Sequence, residues 1–379
     1  MPQNKLIVLS AGGTGGHMFP ADALARDLTG RGYRVALITD VRGKRFEPFG
    51  EGVPVHVVKS ATLGGGVAGK VKSVATLAAG YWQARKLIRE LNPALVVGFG
   101  GYPSFPGVYA AQRAGIPTII HEQNAVLGKA NVMLAPGAKH IALSWEHSSG
   151  MSTEERGRCI VTGNPVRPDI AALFTQPYPA IDPDGELRIF VMGGSLGASV
   201  FGEVLPPAFA SLPPDYKKRL TIVQQCRSDD IDAVREAYLA AGINAILQPF
   251  FGDVADQLKK AHLFIGRSGA STVAEIATAG RPAIFVPYPH HADQQQTRNA
   301  ETLADVGGAW VMDQRGFTPE ALTARIQTFL QTPQILFRAA EAARGAGRPD
   351  AARKLGNLVM TLVSGWSGGE DSAAADTAE

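Results

Sequence analysis

The sequence has little cysteine: Cys159 and Cys226 are the only two in 379 residues. Neither sits in a metal or disulfide spacing, which excludes a disulfide-stapled scaffold and a cysteine-ligated zinc site. Both read as reduced thiols. Charge is also sparse, at 19% of residues against 45% apolar, which excludes a disordered polyelectrolyte and fits a globular chain. Long apolar runs are missing too. No stretch reaches the roughly 18 uninterrupted apolar residues that a membrane span requires. The opening "MPQNK" runs straight into an apolar segment and leaves no room for a signal peptide, so the expected compartment is the cytoplasm.

What is present is a chain longer than one hydrophobic core usually supports, so two domains are expected. Residues 1–164 carry 18 Lys and Arg against 10 Asp and Glu, and the remainder carries 19 against 24. A basic first half implies an acidic partner: a phosphorylated substrate, an anionic lipid or a nucleic acid. Short β-branched runs alternate with helical stretches throughout. Strands are predicted at 5–10, 34–39, 54–58, 94–98, 117–121 and 139–143, then at 187–192, 220–225, 245–248, 262–266, 283–287 and 309–311. Strands this apolar, separated by amphipathic helices, predict parallel sheets buried on both faces. The two halves open alike, since 5–28 and 187–209 each read as strand, glycine loop and helix. The boundary is expected in "GNPVRPDI" (163–170), where prolines bracket an arginine as in a stiff linker. The fold class that follows is α/β, with two doubly wound Rossmann-like domains facing across a cleft.

Polar and glycine-rich loops follow the predicted strands. "AGGTGGHMFP" (11–20) comes first, and glycines before a helix let a phosphate approach backbone N–H groups. The dinucleotide fingerprint fails there, because G-x-G-x-x-G counted from Gly13 needs Gly or Ala at Met18. Asp40, ending the second strand, is a weak ribose candidate by itself. "GGGVAGKV" (64–71) imitates a Walker A loop but ends in Val71, so no Ser or Thr hydroxyl is offered to magnesium; it reads as a flexible glycine loop. No metal is implied: "DPD" (182–184) lies in a proline-rich connection rather than at a strand end.

Seven of these segments, "GGTGGH", "GFGGYPS", "HEQN", "GNPVR", "GGSLGA", "RSGASTVAE" and "PYPHHADQQQTRNA", occur in the order and near the spacing of one family. Over roughly residues 5–360 the chain resembles the MurG family of GT-B glycosyltransferases, with Leu196 standing where Gln is common. The resemblance implies an inverting transfer of GlcNAc from UDP-GlcNAc to the lipid-linked muramyl-pentapeptide of peptidoglycan synthesis. It implies a UDP-sugar domain at 165–345, with Ser195 and Arg167 toward the diphosphate and the backbone of Phe251 toward the uracil. Glu275 would accept from the ribose hydroxyls, Ala270, Ser271 and Thr272 would line the nucleotide, and Gln295 and Gln296 would read the sugar. Two rival readings stand beside these. Arg167 also fits a solvated linker charge, and Thr272-Val-Ala-Glu275 spells a capping box that would tie Glu275 to its own helix start.

The acceptor would lie on an N-terminal domain, 1–164, along Thr14, Gly15 and Gly16, with Asn124 on the donor sugar or the acceptor hydroxyl. His17 is the candidate base, since a helix N-terminus depresses protonation of an imidazole; His121 and Glu122 are its substitutes. The helix near 70–91 is expected to bury Val74, Leu77, Tyr81, Ile88 and Leu91. Beside that stripe fall Trp82, Arg85, Lys86 and Arg89, preceded by Lys70 and Lys72, which suits an anionic membrane surface. A helix at 346–365 is expected to pack back on the first domain, and 366–379 to form a disordered tail. The resemblance also implies a peripheral protein on the cytoplasmic face of the inner membrane, needing no cofactor and no nucleic acid, with cell-wall synthesis or division proteins as partners. The alternatives are another GT-B UDP-sugar transferase, a UDP-GlcNAc 2-epimerase, or a nucleotide-sugar sensor without catalysis.

Overall fold

The computed structural model describes residues 5–46, 49–50, 52–61, 67–182, 184–194, 198–289 and 294–364, excepting the side chains of 67–72. Two compact units emerge. The first takes in the chain up to Gln123, Leu127–Pro165 and the chain from Asp350 onward; the second takes Asn124–Val126 and Val166–Pro349.

The first unit is built on β1 (Leu6–Ser10), β2 (Arg34–Thr39), β3 (Val55–Val57), β4 (Leu95–Gly98), β5 (Thr118–Glu122), β6 (His140–Leu143) and β7 (Cys159–Val161), all parallel, in the order β3-β2-β1-β4-β5-β6-β7. The second is built on β8 (Leu187–Met192), β9 (Leu220–Gln225), β10 (Asn244–Gln248), β11 (Leu263–Gly266), β12 (Ala283–Phe285) and β13 (Ala309–Val311), in the order β10-β9-β8-β11-β12-β13. Each sheet therefore reverses direction of winding beside its first strand, between β1 and β4 and between β8 and β11. In open parallel sheets that reversal point, at the carboxyl ends of the strands, is where ligands bind.

The residues explain the layers. In β1, Ile7 and Leu9 join one buried cluster with Leu24 and Leu28 of α1 (Gly15–Gly30), while Leu6 and Val8 join another on the opposite face. Alternation in a strand that is buried throughout thus serves two cores, each fully buried Leu or Ile contributing about 1.5–3 kcal/mol. The Ala351–Ser364 helix completes the first of these clusters with Leu355, Leu358, Val359 and Val363, and Lys5 Nζ donates to the Val363 carbonyl at 2.5 Å.

Three expectations need correction. The strand Cys159–Val161 was not foreseen: it is a three-residue edge strand with Ile160 and Val161 exposed, too short and too open to carry an apolar signal. The segment 283–287 is strand only as far as Phe285. In α2 (Val67–Leu91) the buried positions are Gly80, Ala84 and Ile88, whereas Val74 is 57% exposed. The physical reason is length. α2 packs against α3 (Gly101–Arg113), which is 13 residues against 25, so the partner ends before the turn that holds Val74 is covered. The Walker-like segment likewise becomes helix from Val67; Gly64–Gly66 lie outside the described residues, as do the side chains of Lys70 and Lys72 and the tail at 366–379.

Candidate active site

In the first unit the loop after β1 is shaped by Asp40 at the end of β2. Its Oδ1 accepts from the Gly13 and Gly43 N–H groups at 3.1 and 2.9 Å, and its Oδ2 from Arg42 Nε at 2.9 Å. Burial pushes this carboxyl up, but the bonds from Gly43, Arg42 and Gly13 more than offset it and hold it below the usual range. Asp40, a candidate for a ribose, is thus engaged in forming the loop. Gly13 supplies the φ of +85° that the turn requires. Thr14 then caps α1 with extended backbone and without a side-chain cap bond, and no acidic residue occupies the first turn. A helix start of this kind favours an anion.

His17 stands in that first turn, half-buried. Its Nδ1 lies 3.2 Å from Gln123 Oε1. The other end of the same amide, Nε2, lies 2.9 Å from His121 Nδ1 and 3.3 Å from the His121 carbonyl, and His121 Nε2 lies 3.0 Å from the Gly163 carbonyl. Burial is the main cause that lowers the pKa of His17, against the opposing pull of Glu122, the Gln123 amide and the Phe99 carbonyl; Arg42 adds to the lowering. His121 is fully buried and pushed down to about 4, chiefly by burial. Glu122, also buried, accepts from Gly128 N–H and Asn131 Nδ2, both at 2.8 Å. The two substitute bases are therefore already engaged inside the unit. Gly101 makes the room for His17: at φ +67°, a Cβ there would stand 3.0 Å from His17 Nε2.

In the second unit β11 runs into Arg267–Gly269 and then the Ala270–Ala279 helix, whose N-cap is Gly269 with no side-chain cap bond. Thr272 is therefore the third helical residue, and the capping box of the rival reading does not form. A box needs its threonine at the N-cap, outside the helix. Glu275 is held instead by Arg167, whose Nε and Nη2 donate to Oε1 and Oε2 at 3.0 and 3.2 Å. With Arg167 at 24% exposure this is no solvated linker charge, so that alternative is also corrected. Burial raises the Glu275 carboxyl above its ordinary value, and Arg167 offsets only part of that rise.

Asn124 belongs to this unit by its contacts. Its Oδ1 accepts from Asn299 Nδ2 at 3.1 Å, the same Nδ2 reaches the Ser268 carbonyl at 3.3 Å, and Asn299 Oδ1 accepts from Ala125 N–H at 2.8 Å. Gln296, in the Gln295–Ala304 helix, accepts from Tyr288 N–H at 2.9 Å, and its carbonyl accepts from Ser268 Oγ at 2.7 Å. Phe251 turns its ring into the core, edge-on to Phe190 at 5.4 Å, which leaves only its backbone for a ligand. Ser195 and Leu196 lie outside the described residues. Sequence reasoning missed Gln123, Asn299 and Arg267. The last of these, buried, donates to the Val286 and Pro287 carbonyls and to Gln314. Asn299 did leave a signal, being a polar residue in phase with the buried Ala300 and Leu303.

Residues 7–143 match the glycosyltransferase family 28 N-terminal domain, and residues 188–355 match its C-terminal domain. The UDP-N-acetylglucosamine--N-acetylmuramyl-(pentapeptide) pyrophosphoryl-undecaprenol N-acetylglucosamine transferase of Rhodospirillum centenum is 55% identical over 93% of either chain. The protein of that name from Paramagnetospirillum magneticum is 47% identical over 97% of this chain and 99% of its own. The chain belongs to this family of glycosyltransferases. A crystal structure of MurG from Acinetobacter baumannii, 33% identical, superposes with a TM-score of 0.76 over 94% of this chain and 99% of that one. The GT-B class and the MurG resemblance read from seven motifs are thereby confirmed. Among the described residues no group of three or more His, Cys, Asp or Glu side chains is placed to hold a metal, and no helix is long and apolar enough to cross a membrane.

Proposed function

We propose that this chain transfers GlcNAc from UDP-GlcNAc to a lipid-linked muramyl-pentapeptide, the second unit holding the donor and the first the acceptor. What carries the proposal is the relatives' shared name over more than nine-tenths of the chain. The acceptor hydroxyl oxygen attacks the anomeric carbon, and its proton passes to His17. The bond from that carbon to the phosphate oxygen breaks, and its electron pair leaves with UDP, inverting the centre. A neutral, half-buried imidazole suits the task. The start of α1 along Thr14, Gly15 and Gly16 receives the acceptor diphosphate.

On the donor side Glu275 accepts the ribose hydroxyls, and Arg167, bonded to it by two hydrogen bonds, pairs with the diphosphate. Ala270, Ser271 and Thr272 offer the start of their helix, Ser195 the second glycine loop, and Phe251 its backbone. Asn124, Gln295 and Gln296 read the sugar. Helix starts and arginine handle the diphosphate charge in place of a metal.

The lipid-linked acceptor places the protein on the cytoplasmic face of the inner membrane, as a peripheral protein. There it feeds peptidoglycan synthesis, and through it cell shape and division, beside other cell-wall proteins. The exposed side of α2 supports that placement. Trp82 is 61% exposed with the Arg85 guanidinium 5.0 Å from its ring centre, Lys86 and Arg89 lie on the same side, and Val74 joins them. Incubation with UDP-GlcNAc and the lipid-linked acceptor should release UDP and disaccharide in equal amounts, with UDP but not ADP inhibiting. UDP released without acceptor, or no product with it, would overturn the proposal.

A further inference from the structure

The chain of ring and amide groups from Gly163 to His17 has only one consistent direction of donation. A backbone carbonyl can only accept, so His121 Nε2, 3.0 Å from the Gly163 carbonyl, carries a hydrogen. A neutral His121 then presents a lone pair at Nδ1, and the group 2.9 Å from it must donate: the Gln123 NH2. The placement of that NH2 is fixed a second time, because it also lies 3.3 Å from the His121 carbonyl, another pure acceptor. An amide flipped the other way would put oxygen against oxygen. Gln123 Oε1 therefore faces His17, and the His17 Nδ1 beside it at 3.2 Å must be N–H.

We propose that Gln123 is a positioning residue that locks His17 as the Nδ1–H tautomer, leaving the Nε2 lone pair as the proton acceptor in glycosyl transfer. This inference rests on His17 being the base. Among the described residues Gln123 is the side chain hydrogen-bonded to the His17 ring. Glu122 and Arg42 act on His17 through their charge, Glu122 favouring and Arg42 opposing the protonated ring. The Phe99 carbonyl also favours that ring. The buried His121 stays neutral and so holds the amide in one orientation. Without the Gln123 carbonyl the imidazole can carry its hydrogen on either nitrogen, and in one of those forms Nε2 can no longer take a proton. Removal of one acceptor from a buried network also leaves the rest of it unsatisfied, so the effect should be larger than that of one surface bond.

The direct test is the 15N spectrum of histidine-labelled wild-type protein above the pKa of His17, assigned with single His→Gln variants. His17 should show a protonated Nδ1 and a bare Nε2, and His121 the reverse. A His17 ring protonated at Nε2 overturns the proposal without any variant having to fold at the site. Kinetics supply the second test. Gln123→Leu should lower kcat on the order of 10–10²-fold while the KM for UDP-GlcNAc stays within about twofold. The acid limb of its pH profile should move to lower pH, because a group favouring the protonated ring is gone. Gln123→Glu places a carboxylate on Nδ1–H and should move that limb to higher pH. A structural role alone gives no such opposite movement, and wild-type kcat and pH profile in both variants would refute the lock. His17→Ala separates the two levels. Near-normal turnover there removes the base, whereas lost turnover there with unaffected Gln123 variants removes only the lock.

Discussion

The two units share a strand order through six strands, the first adding a seventh at its edge, yet the polar groups at their strand ends are of opposite kinds. In the first, His17, Gln123 and His121 form a hydrogen-bonded chain, and burial lowers the pKa of both imidazoles. In the second, Arg167 and Glu275 form a charge pair closed on itself by two bonds. A neutral chain can fix where a proton goes without attracting a counterion. A charge pair can be reopened by a ligand that offers each partner a replacement. One fold thus carries a neutral hydrogen-bonded chain in one unit and a charge pair in the other, and the difference lies in a few side chains after the strands.

The largest expected effect strikes the first site. His17→Ala should reduce turnover on the order of 10²–10⁴-fold in a steady-state assay with little change in donor affinity. Near-normal turnover would erase the contrast between the units. Next comes the charge pair. Arg167→Ala leaves Glu275 buried without its cation and should cost about 2–3 kcal/mol in urea melts, somewhat below the roughly 3–5 of fully buried pairs. The sign with pH follows from the direction of the shift. A carboxyl raised in the folded state is penalised as pH rises above its unfolded value and is not penalised when protonated in both states. The variant's deficit should therefore shrink below about pH 4.5, near the ordinary glutamate value, and a deficit constant down to pH 3 would show that the pair matters through packing.

Much of the fold was legible because strands buried on both faces read as continuous apolar runs, as Leu6–Ser10 and Leu95–Gly98 do. The edge strand Cys159–Val161 lacked that signal, and the exposure of Val74 depends on the length of a neighbouring helix, which no local pattern contains. At the site, residue types and loops could be read but not partners. Arg167 and Glu275 are 108 positions apart, and His17 and Gln123 are 106 apart. The rival capping box read from Thr-x-x-Glu fails because its helix begins at Ala270, two residues before the threonine.

Two smaller effects sharpen the comparison away from the chemistry. Leu355→Ala, in the helix that completes the first unit's core, should lower stability by about 2 kcal/mol, the lower end for a buried leucine. It should leave UDP affinity unchanged in calorimetry, and a loss of UDP affinity would show that the units do not act separately. Neutralising Arg85, Lys86 and Arg89 together should weaken binding to anionic vesicles by about 1 kcal/mol per charge, with activity on a soluble acceptor intact. Unchanged vesicle binding would make this a merely solvated face.

The division of labour is tested most directly by single-turnover rates measured against UDP-GlcNAc concentration for His17→Ala and Glu275→Ala. His17→Ala should lower the plateau and leave half-saturation where it is. Glu275→Ala should move half-saturation by at least about tenfold, as expected for lost charge-assisted bonds of roughly 1.5–3 kcal/mol, with the plateau near wild type. Equal losses of plateau and affinity in both variants, or the reverse assignment, would contradict a proton site in the first unit and a donor site in the second.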